Sequence, residues 1–171
     1  MDSTELRALQ APLKDRYRVD ASAARVTLSA AGRIGENVSC RVDTGRALVE
    51  AGLHPATGGS GELVCSGDML LEALVACAGV TLNAVATALE IDLRSGSVRA
   101  EGDLDFRGTL GVEKEAPVGF SVIRLEFELD TAADEEALDR LVRLTERYCV
   151  VYQTLRGGVD VQVTRSRPAR G

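Results

Sequence analysis

Asp68-Met-Leu-Leu-Glu-Ala-Leu-Val-Ala-Cys77-Ala-Gly-Val-Thr81 is the stretch whose reading decides the fold. The run continues to about Glu90 and is apolar almost all round, with Leu70, Leu74, Cys77, Thr81 and Val85 along one side and Leu71, Val75, Ala78 and Leu82 along another. A helix apolar on nearly every face belongs in the middle of a protein, so residues 67–90 are predicted to form a long, buried central helix. Ser66 is the expected N-cap, and Asp68 in the first turn suits the positive end of the helix dipole. Glu72, Thr81 and Asn83 interrupt the run before it reaches the roughly 18 uninterrupted apolar residues that a membrane span needs.

Downstream, Val98, Ala100, Gly102, Leu104 and Phe106 alternate with mostly charged residues. Ile123, Leu125, Phe127 and Leu129 alternate likewise with Arg124, Glu126 and Glu128. Alternation of this kind predicts two strands with one wet face each, as antiparallel neighbours. Thr131-Ala-Ala-Asp134 has the spacing of a capping box, with Asp in place of Glu, and Leu138, Leu141, Val142, Thr145 and Tyr148 then recur at helical spacing. A helix is expected to about Tyr148, a second short one from Val150 to Leu155, and a final strand through Val159, Val161 and Val163.

Upstream, Val26 and Leu28, then Val38 and Val42, then Leu48 read as three short strands, punctuated by Gly32, Gly35 and Asp43-Thr-Gly45. Residues 54–62 form a Gly- and Pro-rich loop in which His54 is a solvated turn residue. Residues 1–20 make an N-terminal helical arm interrupted by Pro12, residues 21–165 the domain, and residues 166–171 a frayed tail. The order strands, central helix, strands, helix, strand defines an α+β class.

With 171 residues and 45% hydrophobic residues the chain can build one packed core. A formal charge of −6 argues against polyanion partners, because phosphate contacts need concentrated positive surface. Nucleic acid and membrane are therefore not expected partners. The N-terminus lacks the basic and apolar regions of a secretory signal, so a cytoplasmic setting is expected. There, Cys40, Cys65, Cys77 and Cys149 should be free thiols. They contain no Cys-x-x-Cys, and His54 is the one histidine, so neither a metal nor another cofactor is expected.

Cys77 and Cys149 are the informative pair, and paired thiol redox chemistry is their candidate role. A cysteine in an apolar helix is ordinarily an inert core residue, since desolvation disfavours the thiolate. Reactivity calls for a cation over the sulfur, and a guanidinium there needs an acid to fix its fork. Cys40 reads as structural. Cys65, just ahead of the central helix, is an alternative resolving or sensing thiol. Glu72 is an alternative carboxylate, and Arg140, Arg143 and Arg147 read as a solvated helix face.

Four segments resemble the OsmC/Ohr family, the osmotically inducible and organic hydroperoxide resistance proteins, over roughly residues 25–164. Leu70-Leu-Glu-Ala-Leu-Val-Ala-Cys77 is similar to that family's central helix. Tyr148-Cys149-Val-Val-Tyr-Gln-Thr154-Leu155 is similar to its late helix. Pro55-Ala-Thr-Gly58-Gly59 and Ala31-Gly32-Arg33-Ile-Gly35 are similar to its loop segments. The resemblance implies an intertwined homodimer with antiparallel sheets. It also implies that Cys77 is the peroxidatic thiol, Cys149 the resolving thiol, Arg33 the cation that stabilises the thiolate and Asp68 the carboxylate that orients Arg33. Asp68 stands where members usually carry Glu, and Val150 where a proline often follows the second cysteine. The implied activity is reduction of organic hydroperoxides with a dithiol reductant, of which a lipoyl group is one kind. The alternative is an OsmC-fold protein that binds a small apolar or electrophilic ligand, or senses redox state, at the dimer cleft.

Overall fold

A computed structural model of the chain describes residues 2–5, 8, 10, 11, 19, 31–34, 39–43, 48–111 and 113–165. The elements run β1 (Ala31–Ile34), β2 (Ser39–Asp43), β3 (Leu48–Gly52), β4 (Val64–Cys65), α1 (Ser66–Leu89), β5 (Leu93–Asp103), α2 (Phe106–Thr109), β6 (Val122–Thr131), α3 (Glu135–Tyr148) and α4 (Val150–Gly157). Strands β1, β2 and β3 pair antiparallel in sequence order, and the two-residue β4 adds parallel to β3. Strands β5 and β6 form a separate antiparallel pair. The α+β expectation with antiparallel sheets holds, with β4 the parallel exception.

The β5–β6 register sets Val98 against Phe127, Ala100 against Leu125 and Gly102 against Ile123. Period-two alternation thus gathers the apolar side chains of both strands on the face that meets α1, while Arg99, Glu101, Arg124 and Glu126 stay on the wet face. Arg124 forks onto Asp103 with two contacts of 2.6 Å on that wet face. Being solvated, it contributes little to stability. Gly102 is needed where it stands, since a Cβ there would lie 2.5 Å from the Phe120 ring.

Helix α1 lies on this sheet, and α3 packs beside it. Leu82, Val85 and Ala86 of α1 close on Leu141 of α3, and further along α1 Leu74 and Ala78 close on Cys149. Residues 74, 78, 82, 85 and 86 are spaced three or four apart or are adjacent, which makes one stripe of a 3.6-residue helix. Burying a leucine such as Leu141, which is 0% exposed, contributes about 2 kcal/mol.

Several expectations are corrected. The central helix is not buried all round in the single chain: its buried stripe crosses both predicted sides, and Val80 is 72% exposed. Its best 18-residue window has a mean hydropathy of 1.8, enough by length and composition for a bilayer span, because isolated polar residues do not offset so many aliphatic ones. Here that window packs on a sheet and a helix. Its N-cap is Cys65, not Ser66, which already lies in the first turn. Strand β5 ends at Asp103; Asp105 accepts from the Arg107 amide and starts a helical turn at Phe106 instead. The capping motif sits three residues later than predicted, with Asp134 capping α3 and the Thr131 hydroxyl donating to the Asp92 carbonyl at 2.6 Å.

Tyr148 points outward at 58% exposure. Ala31-Gly32-Arg33-Ile34, read as turn punctuation, is β1: pairing with β2 over the whole segment overrides the low strand propensity of Gly32. Val159, Val161 and Val163 form no strand: the chain leaves α4 at Gly158, at φ 64°, and among the described residues no strand edge pairs with them. His54 is more than a solvated turn residue: its Nδ1 accepts from the Ala56 amide at 3.1 Å and its ring stacks on Phe106 at 4.9 Å. The strand expected at Val26 and Leu28, most of the N-terminal arm and the tail from residue 166 lie outside the described residues.

Candidate active site

Cys77 lies near the middle of α1, and Cys149 is the one residue between α3 and α4. At φ −72° and ψ 110° Cys149 is extended, which ends α3 and starts α4 in a new direction. Its amide still donates to the Thr145 carbonyl at 2.9 Å, and its carbonyl accepts from the Gln153 amide at 3.0 Å, so the corner leaves these two backbone groups satisfied. Because α3 is held on α1 through Leu141, the corner falls against Leu74 and Ala78. The Cys149 side chain is buried and Cys77 is half-buried beside it, and both are free thiols.

The two thiols ionise in opposite directions. Burial pushes the Cys77 thiol up, but the amide of Val151, the Cys149 thiol, the amide of Val150 and the Thr81 hydroxyl together outweigh it, so Cys77 lies below its ordinary value. Val150 and Val151 open α4, and their amides are among those a helix leaves without an internal partner. Burial pushes Cys149 up; the Tyr152 amide opposes this, while the charge and thiol of Cys77 add to it, and Cys149 stays above its ordinary value. Of the two thiols, Cys77 is therefore the one that gives up its proton more readily. These groups surround the Cys77 sulfur and act on its charge.

The structure thus brings together Cys77 and Cys149. Asp68 is exposed in the first turn of α1, nine residues before Cys77 and so roughly 13 Å away along the helix axis. It does not touch the thiol. Arg33 lies on β1 opposite Arg41 of β2, and its side chain is outside the described residues, as is that of Cys40. Cys65 ends β4 and caps α1 without a side-chain bond. Glu72 is exposed on α1, and Arg140, Arg143 and Arg147 form an exposed face of α3, where Arg147 lies 5.6 Å over the Tyr148 ring.

Sequence reasoning looked for a guanidinium and missed the α4 amides and Thr81. The signals were there: Cys149 directly precedes a helical start, and Thr81 follows Cys77 by four residues. Two grooves are lined by neighbours of the pair, though by neither cysteine. One, of about 540 Å³, is lined by Leu74, Leu125, Phe127 and Tyr152 together with Glu146 and Arg156. The other, of about 500 Å³ on the open side of α1, is lined by Val80, Thr81, Val85 and Tyr148. Among the described residues no three His, Cys, Asp or Glu side chains gather as a metal would require.

Fold and site together define an α+β protein with a paired-thiol centre at a helix N-terminus. Residues 59–164, more than half of the chain, match the family described as OsmC-like protein, and the chain belongs to this OsmC family. An OsmC-like protein from Mycoplasma pneumoniae has a similar structure, with a TM-score of 0.65 at 19% identity over 78% of this chain and 89% of that one. The organic hydroperoxide resistance protein OsmC from Legionella pneumophila gives 0.61 at 21% identity, covering 80% of this chain and 94% of that one. An organic hydroperoxide resistance protein from Elizabethkingia anophelis gives 0.61 at 21% identity, covering 78% and 91%. At such identities the likeness establishes the fold. No curated protein matches the sequence.

Proposed function

We propose that this protein is a thiol peroxidase that reduces organic hydroperoxides. The observation that carries the reading is the thiol pair itself: Cys77 packs against Cys149 where α4 begins, and the α4 amides lower Cys77 while burial raises Cys149. The Cys77 thiolate attacks one peroxide oxygen, the O–O bond breaks, and the alkoxide leaves and takes up a proton as alcohol. Cys77 is then a sulfenic acid. Cys149 attacks that sulfur, the S–S bond forms, and hydroxide leaves with the Cys149 proton as water. A dithiol returns two electrons and two protons to the disulfide. Amides aimed at the anion also stabilise charge as it develops.

In this reading Arg33 acts on both the Cys77 thiolate and the leaving oxygen, and Asp68 orients Arg33. The apolar residues packed around the pair favour organic peroxides over hydrogen peroxide, at about 0.8 kcal/mol per methylene buried. The open side of α1, with Val80 exposed, supports a homodimer in which a second copy covers it. A cytoplasmic setting would supply the reducing dithiol.

The test is consumption of cumene hydroperoxide, tert-butyl hydroperoxide and hydrogen peroxide with dihydrolipoamide as reductant. Cys77→Ser is expected to lower the rate by roughly a thousandfold or more. Cys149→Ser should accumulate a Cys77 sulfenic acid detectable by mass and lose turnover. Undiminished activity in Cys77→Ser removes the mechanism. Stoichiometric oxidation of the parent without turnover would instead favour the redox-sensing alternative.

A further inference from the structure

Among the described residues three threonines bond back to the carbonyl four residues earlier. The Thr81 hydroxyl donates to Cys77 O at 2.7 Å, Thr87 to Asn83 O at 2.8 Å and Thr145 to Leu141 O at 2.8 Å. The arrangement is ordinary for threonine in a helix. What sets Thr81 apart is its acceptor residue, whose side chain is the nucleophilic thiol of the proposed site: the two lie one turn apart on the same face of α1, and the hydroxyl is among the groups that lower that thiol. A hydroxyl has one proton and rotates about a single bond. At rest that proton lies on the Cys77 carbonyl, which keeps a second lone pair and tolerates its loss.

We propose that the Thr81 hydroxyl is a switchable donor to the nucleophile, turning from the Cys77 carbonyl to the Cys77 sulfur when the thiolate forms. It thereby complements the α4 amides from the opposite element: α4 presents fixed N–H groups, and α1 presents a mobile O–H. Among the described residues the other titratable group at the sulfur is the Cys149 thiol. Tyr152 of α4 packs in the same cluster, and β5 and β6 bring Val98, Ala100, Ile123, Leu125 and Phe127 to it. A donor at this position therefore changes the ionisation of Cys77 from within a largely apolar cluster.

The inference rests on the proposed role of Cys77 but is tested on its ionisation, not on turnover. The reduced full-length chain is alkylated with iodoacetamide across a pH series, and modification of the Cys77 peptide is followed by mass. Thr81→Val keeps the shape and removes the hydroxyl. It should slow alkylation at neutral pH by roughly three- to tenfold and displace the midpoint to higher pH, while Thr81→Ser restores the parent profile. Thr87→Val removes an equivalent back-bond away from the thiol and should change nothing. A parent-like profile in Thr81→Val, or an equal displacement in Thr87→Val, overturns the proposal. Should Thr81→Val not fold, Thr81→Ala is read in the same way. A displaced profile in a protein that does not consume peroxide would uphold the Thr81 role and defeat the peroxidase reading.

Discussion

Helices α3 and α4 meet at Cys149 and begin in opposite ways. Asp134 closes the start of α3, its carboxylate accepting from the Ala137 amide at 2.9 Å, with Glu135 and Glu136 adding negative charge in the first turn. Helix α4 starts on Cys149, whose side chain makes no capping bond, and no acidic residue stands in its first turn. A carboxylate satisfies the first helix internally. The second leaves its leading amides to a sulfur from another element, and Cys77 is the group they lower. The contrast teaches that an uncapped helix start is available to a functional anion, whereas a capped one is spent on stability.

The largest effect that would test this contrast is to give α4 the kind of cap α3 has. Cys149→Asn supplies a neutral side-chain acceptor for the α4 amides. Against Cys149→Ala, which removes only the thiol, it should slow Cys77 alkylation at neutral pH by about threefold or more. Equal rates in the two variants would break the link between the open cap and the thiolate. The converse change, Asp134→Ala, should cost about 1 kcal/mol in chemical denaturation yet leave Cys77 alkylation as in the parent. A slowed thiol there would mean that the two helix starts are not independent.

The smallest effect is the pH dependence of stability in the reduced protein. Cys77 is lowered on folding, so its contribution is complete above the unfolded thiol value and fades as pH falls through its folded value. Cys149 is raised, so its contribution is complete below the unfolded value and fades as pH rises through its folded value. Together they should produce a stability maximum near the unfolded thiol value of about 8.5, absent from the Cys77→Ala, Cys149→Ala double variant. Melting curves across the alkaline range check this, and a parent curve superimposable on that of the double variant would count against the split pair.

Much of the fold was legible because local patterns carried it. The apolar run over residues 66–89 reads as one helix at any register, and the alternation in β5 and β6 agrees with their pairing. The break at Cys149 was legible from the change of apolar spacing on either side. Gly32 misled, because a glycine signals a turn unless a neighbouring strand claims it, and β2 does so. The valines of residues 159–163 misled in the opposite sense: alternation announces a strand, but hydrogen bonds from a second edge make one.

The candidate site divides in the same way. Its cysteines stood out from their apolar surroundings and from the family resemblance, and their order along the chain follows from the sequence alone. Which of the two carries charge does not. That depends on the corner at Cys149 turning the Val150 and Val151 amides toward a sulfur on α1, more than seventy residues earlier, and on Leu141 holding α3 where that corner falls. Sequence patterning settled which segments became helix and strand, because propensity and amphipathic period act over a few residues. Only the packing of α3 and α4 on α1 decided the ionisation of the thiols, because desolvation and amide dipoles act through space.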